Sequence, residues 1–154
     1  MEPEIQGYLT EFGILRQAIQ NAIQGLNDEG ANWHPLQKGT NSIYAILTHL
    51  MGADDFWVHD IILGEEKQRD REAEFRAAGN LRELLTRWES AWSEIESILT
   101  KLSHEQLSDL RSFISWTGYK ESKTTRWIIL HLISHYATHL GHIQLTCQLW
   151  EQHR

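Results

Sequence analysis

Pro3 and Pro35 are the only prolines in this chain of 154 residues. A proline inside a helix removes one backbone donor and clashes with the preceding turn, so proline is what a long helix tolerates least. Nothing after Pro35 forbids long helices, and an all-α fold is the first expectation. The length suffices for one substantial core and falls short of two ordinary domains. Residues 1–154 are therefore expected to form a single domain.

Hydrophobic spacing divides the chain further. Ile5, Leu9, Phe12, Leu15, Ile19, Ile23 and Leu26 recur every three or four residues, which predicts a first amphipathic helix over about 3–26. Residues 27–35 are rich in turn formers and end in proline, so they read as a loop. Thr40 or Asn41 is placed to cap a second helix that carries Ile43, Leu47, Leu50, Trp57 and Ile61 inward and stops near Gly64. Residues 65–79 are mostly polar and read as a solvated, partly helical connection. Asn80 with Glu83 resembles a capping box, and the third helix runs from Leu81 to about Leu102. Ser103 and Gln106 suggest a capped short turn, and 113–120 reads as extended or irregular. A last helix runs from Thr124 or Thr125 to about Trp150. Four amphipathic helices in one small domain predict an antiparallel four-helix bundle.

Charge and composition exclude several partners. The formal net charge is -7, and the one dense charge run, 65–72, mixes both signs. No basic stripe is present to follow phosphates, so nucleic acid is not an expected partner. No apolar run reaches the roughly 18 residues of a membrane span. Cys147 is the only cysteine, and residues 1–4 lack the pattern of a secretory signal. A cytoplasmic protein is the expectation.

Chemistry concentrates in the last helix. Of nine histidines, His131, His135, His139 and His142 fall within twelve consecutive residues. At about 100° per residue, and with His131 at zero, His135 lies near 40°, His139 near 80° and His142 near 20°, all on one face. Residues at i and i+4 project side by side, which lets two imidazoles converge on one ion. A lone histidine would read as an ordinary polar or core residue, but a row of potential cations fills a core poorly without a ligand. Spacing alone permits either adjacent pair from His131, His135 and His139. Cys147, near 160° on the same wheel, faces away. A third ligand must come from another helix, and periodicity leaves His49 on the flank of the second helix's stripe. His59 lies opposite that stripe. Asp54 and Asp55 read as exposed or locally bonded groups, and most of the seven tryptophans read as core or interface residues, although Trp33, Trp57, Trp116 and Trp127 could wall a pocket.

Two segments carry a family resemblance. Asn41 to Ala53, with His49 ahead of a Leu-x-Gly-Ala turn, and Thr125 to His142, with the pattern His-x-x-x-His-x-x-x-His-x-Gly, resemble the second and last helices of the DinB/YfiT-like metalloenzyme superfamily. The resemblance spans nearly the whole chain in helix order. It implies a divalent metal, zinc or nickel, held by His49, His135 and His139. It leaves His131 and His142 beside the site or facing substrate. Relatives of this kind, including mycothiol-dependent maleylpyruvate isomerase, imply a low-molecular-weight thiol such as mycothiol or bacillithiol as co-substrate. The resemblance thus implies a thiol-dependent transferase, an isomerase or a hydrolase acting on a small molecule, and a homodimer. A metal-binding or small-ligand-binding protein without turnover is the alternative. A di-iron carrier of the hemerythrin type would need bridging carboxylates, which the inward face of the third helix lacks.

Overall fold

The computed structural model describes residues 1–154. Its order is α1 (Pro3–Ala22), α2 (Asp28–Asn32), α3 (Ile43–Asp55), a π-helical segment (Phe56–Ile62), α4 (Arg71–Phe75), α5 (Leu81–Thr100), α6 (His104–Leu107), β1 (Leu110–Ile114), β2 (Lys120–Thr124) and α7 (Thr125–His153). The chain is mostly helical, as the proline distribution predicts, with one small two-stranded sheet.

α1, α3 and α5 bury the stripes read from the sequence, and α7 adds an apolar face of its own. Ile5, Phe12 and Ile19 of α1, Ile43, Leu47 and Leu50 of α3, Leu84, Trp88 and Leu99 of α5, and Ile128, Leu132 and Tyr136 of α7 all belong to one core. α1 packs on α7 and α5, and α3 packs on α5 and α7. Arg126 on α7 clamps both carboxylate oxygens of Glu4, at 2.5 and 3.1 Å, which pins the start of α1 to the start of α7.

Local chemistry explains where elements begin and end. α1 stops four residues before its stripe does, because Gly25 at φ 79° turns the chain. The expected loop at 27–35 contains α2, capped by the Asn27 side chain on the Gly30 N–H. Ser42 caps α3 by accepting from the Ala45 N–H, whereas Thr40 closes the preceding loop onto Leu36. Asn80 caps α5 through the Glu83 N–H, and Ser103 with Gln106 forms a full capping box on α6. The segment predicted to be extended belongs to an antiparallel hairpin in which Leu110 faces Thr124 and Ile114 faces Lys120. Thr124 caps α7.

The π-helical segment alters one prediction. His59 is expected on the solvent side, yet it is 4% exposed. A π turn holds more residues than an α turn, so the phase of the wheel slips over 56–62 and His59 swings inward. Its ring meets Glu65 at 2.9 Å and faces Asp55 and Glu94. This cluster is separate from the histidines of α7.

Candidate metal centre

Three imidazoles from two helices converge. His49 on α3 directs Nε2 to within 2.9 Å of His135 Nε2, and His139 Nε2 stands 3.1 Å from that same atom. One ring nitrogen from each of the three lies within 4.8 Å of the others. Nitrogens bound tetrahedrally at about 2.0–2.1 Å from one ion stand roughly 3.3 Å apart. The spacing therefore fits a single divalent ion, and an all-imidazole set suits zinc or nickel.

Burial keeps the two α7 rings, His135 and His139, neutral. It pushes His135 down to about 3 and His139 to about 4, and the neighbouring imidazoles lower both further. Both therefore present free lone pairs at neutral pH, the form a metal requires.

His49 is held by groups that the sequence does not mark. Residues 65–79 are expected to be solvated, but α4 folds back over α3, and Glu74 is buried. Its Oε1 lies 2.9 Å from His49 Nδ1, while Arg69 donates to Oε1 and Oε2 at 2.8 Å each. Burial alone would raise the Glu74 carboxyl; the bonds from Arg69 and His49 outweigh it and hold the group below its usual value. Phe75 stacks on the His49 ring at 4.6 Å. Space for this arrangement comes from Gly52, where a Cβ would sit 2.0 Å from Glu74 Oε2. By contrast, His135 Nδ1 is buried without a partner, so no hydrogen bond at that outer nitrogen orients the ring.

The two remaining α7 histidines differ. His142 is exposed, and its Nδ1 lies 3.3 Å from His139 Nδ1. His131 makes no hydrogen bond to the three. It stacks on Trp127 at 4.8 Å, within 8° of parallel, and lies parallel to His135 at 6.4 Å. Burial lowers its pKa. Cys147 is half-buried and apart from the cluster, as the wheel predicts.

Asp54 corrects another expectation. It is buried, not exposed, and Tyr136 of α7 donates to its Oδ2 at 2.6 Å, a contact across the core and not a local one. Arg16 donates to the Tyr136 oxygen at 3.2 Å while lying over the Trp88 ring at 3.7 Å.

Two cavities meet at the convergence. One, of about 860 Å³, is bounded by Trp33, Leu145, Leu149, His139 and His142; the other, of about 530 Å³, is bounded by Trp57, Phe113, Trp116 and Trp127. His49, His135 and Arg71 line both. All four tryptophans named as possible pocket walls therefore face cavities, and Trp88 and Trp150 are the buried ones.

The arrangement can hold a cation on three imidazole nitrogens and admit small molecules from two sides. A family model described as Mycothiol-S-transferase matches residues 5–151. The fold is similar to the crystal structure of a conserved protein from Enterococcus faecalis, at 16% identity and a TM-score of 0.75 over 97% of each chain. No curated protein matches the chain.

Proposed function

Because the chain belongs to the mycothiol-S-transferase family, one of the DinB/YfiT-like families, we propose that it is a metal-dependent enzyme transferring a low-molecular-weight thiol to a small molecule. The observation that carries this reading is the convergence of His49, His135 and His139 beside two cavities. We take residues 1–154 as one antiparallel four-helix-bundle domain working in the cytoplasm. No helix is long and apolar enough to cross a membrane.

His49, His135 and His139 are the proposed ligands of one zinc or nickel ion. Such an ion, when bound, favours a thiolate over a thiol at neutral pH. The chain's own groups do the rest. Glu74 accepts from His49 Nδ1 and so presents Nε2 to the site, with Arg69 fixing the carboxylate. His142 supports the outer nitrogen of His139. His131 takes no part in ligation and forms part of the wall. Mycothiol and bacillithiol are the thiols to test first. We also propose a homodimer, since Leu110, Ile114, Trp116 and Tyr119 leave an exposed apolar surface along the hairpin. A monomeric mass by light scattering at tens of micromolar would count against that state.

The test is elemental analysis of protein purified without a metal-affinity tag, followed by thiol-consumption assays. About one zinc or nickel per chain and metal-dependent turnover of one of these thiols are expected. A metal-bound protein that consumes no thiol with any electrophile would favour binding without catalysis. A protein that retains and takes up neither ion would overturn the proposal.

A further inference from the structure

The two cavities differ in the chemistry of their walls, and that difference divides the work of the proposed transferase between them. The smaller cavity is bounded by aromatic rings held in fixed relation. Trp57 meets Phe113 at 4.8 Å with the planes at 82°, Trp127 at 6.0 Å and 66°, and His131 at 5.2 Å and 67°. Trp127 lies flat on His131. Trp127 is thus engaged by His131 and by Lys123 Nζ, 5.0 Å from its ring centroid, while the mixed ring orientations around Trp57 allow the edge-to-face and offset contacts in which a further aromatic ring gains most. The α7 positions 127, 131 and 135 are spaced by four, so the wall is one ladder of rings from the rim to the metal cluster. Of the two arginines that line this cavity, Arg69 is committed to Glu74 and Arg71 lies over the Phe75 ring at 5.0 Å.

The larger cavity sets the hydrogen-bonding groups of Thr40, Asn41, His142, Thr146 and Gln152 among the apolar side chains of Trp33, Leu36, Leu145 and Leu149. A hydrophilic thiol suits that side. His49 and His135 face both cavities, so a sulfur held at their nitrogens stands at the boundary with the aromatic side.

We propose that the cavity walled by Trp57, Phe113, Trp127 and His131 is the electrophile subsite and selects a flat aromatic electrophile, the thiol entering from the other cavity. This rests on the transferase reading and adds to it the substrate class and the residues that choose it. For a halogenated nitroarene the balance is complete. The thiol releases its proton to solvent, the sulfur electron pair forms a bond to the ring carbon, and the carbon–halogen pair leaves as halide. No oxidant or reductant is needed.

Dinitrobenzene, which has no leaving group, tests the subsite without thiol or metal. It is titrated by calorimetry into metal-free wild-type protein and into Trp127→Leu, Trp127→Phe, Trp57→Leu and Leu149→Ala variants. Trp127 lies at the cavity rim and is 37% exposed, so its replacement leaves the core intact. We expect Trp127→Leu and Trp57→Leu to weaken binding about 5- to 10-fold, Trp127→Phe to restore most of it, and Leu149→Ala to leave it unchanged. No binding by the wild type, binding by both leucine variants as tight as that of the wild type, or loss confined to Leu149→Ala would overturn the assignment. Thiol turnover with chlorodinitrobenzene is measured separately. Absence of turnover in a metal-loaded protein that still binds dinitrobenzene at these tryptophans would count against the transferase reading alone.

Discussion

Glu74 Oε1 sits 2.9 Å from His49 Nδ1, on the opposite side of the ring from the nitrogen that faces His135. A carboxylate in that position fixes the ring's tautomer and raises its basicity as a ligand. We expect Glu74→Gln to lower metal affinity by about 10–100-fold while the fold persists, since the amide keeps the shape and loses the charge. Competition with a chromogenic chelator measures this. Unchanged affinity would show that His49 does not bind metal through Nε2.

Gly52 offers an independent approach to the same carboxylate, from α3. A Cβ there would lie 2.0 Å from Glu74 Oε2 and 2.4 Å from the carboxyl carbon. Glu74 is held by Arg69 and cannot yield without breaking those bonds. Gly52→Ala is thus expected to expel Glu74 and reproduce the affinity loss of Glu74→Gln. In the double variant the two losses should not add, because both act through one contact. Additive losses in a double-mutant cycle would refute this coupling.

How much of this was legible in sequence varies with the range of the interaction. The stripes of α1 and α5 are periodic over many turns, so their cores read directly. The histidine row of α7 is visible for the same reason. Geometry alone leaves two pairs open there, and the resemblance selects the pair whose rings do approach His49. Glu74 was not legible, because its partner is 25 residues away and the segment 65–79 around it is mostly polar. Gly52 was the available signal, a glycine in a helix one turn from a histidine. Gly141 is the opposite case, for no atom lies within 4 Å of a Cβ there, and nothing in the structure explains that glycine. Asp54 was readable and misread. It follows Leu47 and Leu50 at core-facing spacing, so the wheel already turned it inward. His59 was not readable, since a π-helical slip breaks the period that wheel analysis assumes.

The histidines should separate by role. We expect His49→Ala, His135→Ala and His139→Ala each to abolish tight metal binding, because two imidazoles do not complete the site. His131→Ala should leave affinity nearly unchanged, since that ring packs on Trp127 and Trp57, lies 6.4 Å from the His135 ring and makes no hydrogen bond to the three ligands. His142→Ala removes only a contact to the outer nitrogen of His139 and should weaken binding by roughly 10–100-fold or less. Calorimetric titration with zinc checks the order. If His131→Ala proved as damaging as His139→Ala while His135→Ala kept tight binding, the ligand pair would lie one turn nearer the start of α7.

Asp54 makes stability depend on pH in a direction opposite to the usual carboxylate. Burial raises its pKa to about 7, against which the bonds and charges of Tyr136 and Arg16 act only in part. Its Oδ1 is buried with no partner, while Oδ2 accepts from Tyr136. In the unfolded chain the group titrates near 3.9. Between about pH 4 and 7 the folded state therefore holds a proton that the unfolded state has lost, and stability from this group falls as pH rises through that window. His135 and His139 contribute the reverse slope, because their lowered pKa values leave the unfolded state the more protonated below about pH 6.5. The two effects overlap, so the wild-type profile alone does not isolate Asp54. The difference between wild type and Asp54→Asn does, since the amide cannot titrate and the histidines are common to both. For metal-free protein we expect the urea midpoint of the wild type, relative to Asp54→Asn, to fall steadily from pH 4.5 to 7.5. A difference that is flat, or that rises with pH, would mean that Asp54 is ionised in the folded core and paired more strongly than its contacts with Tyr136 and Arg16 imply.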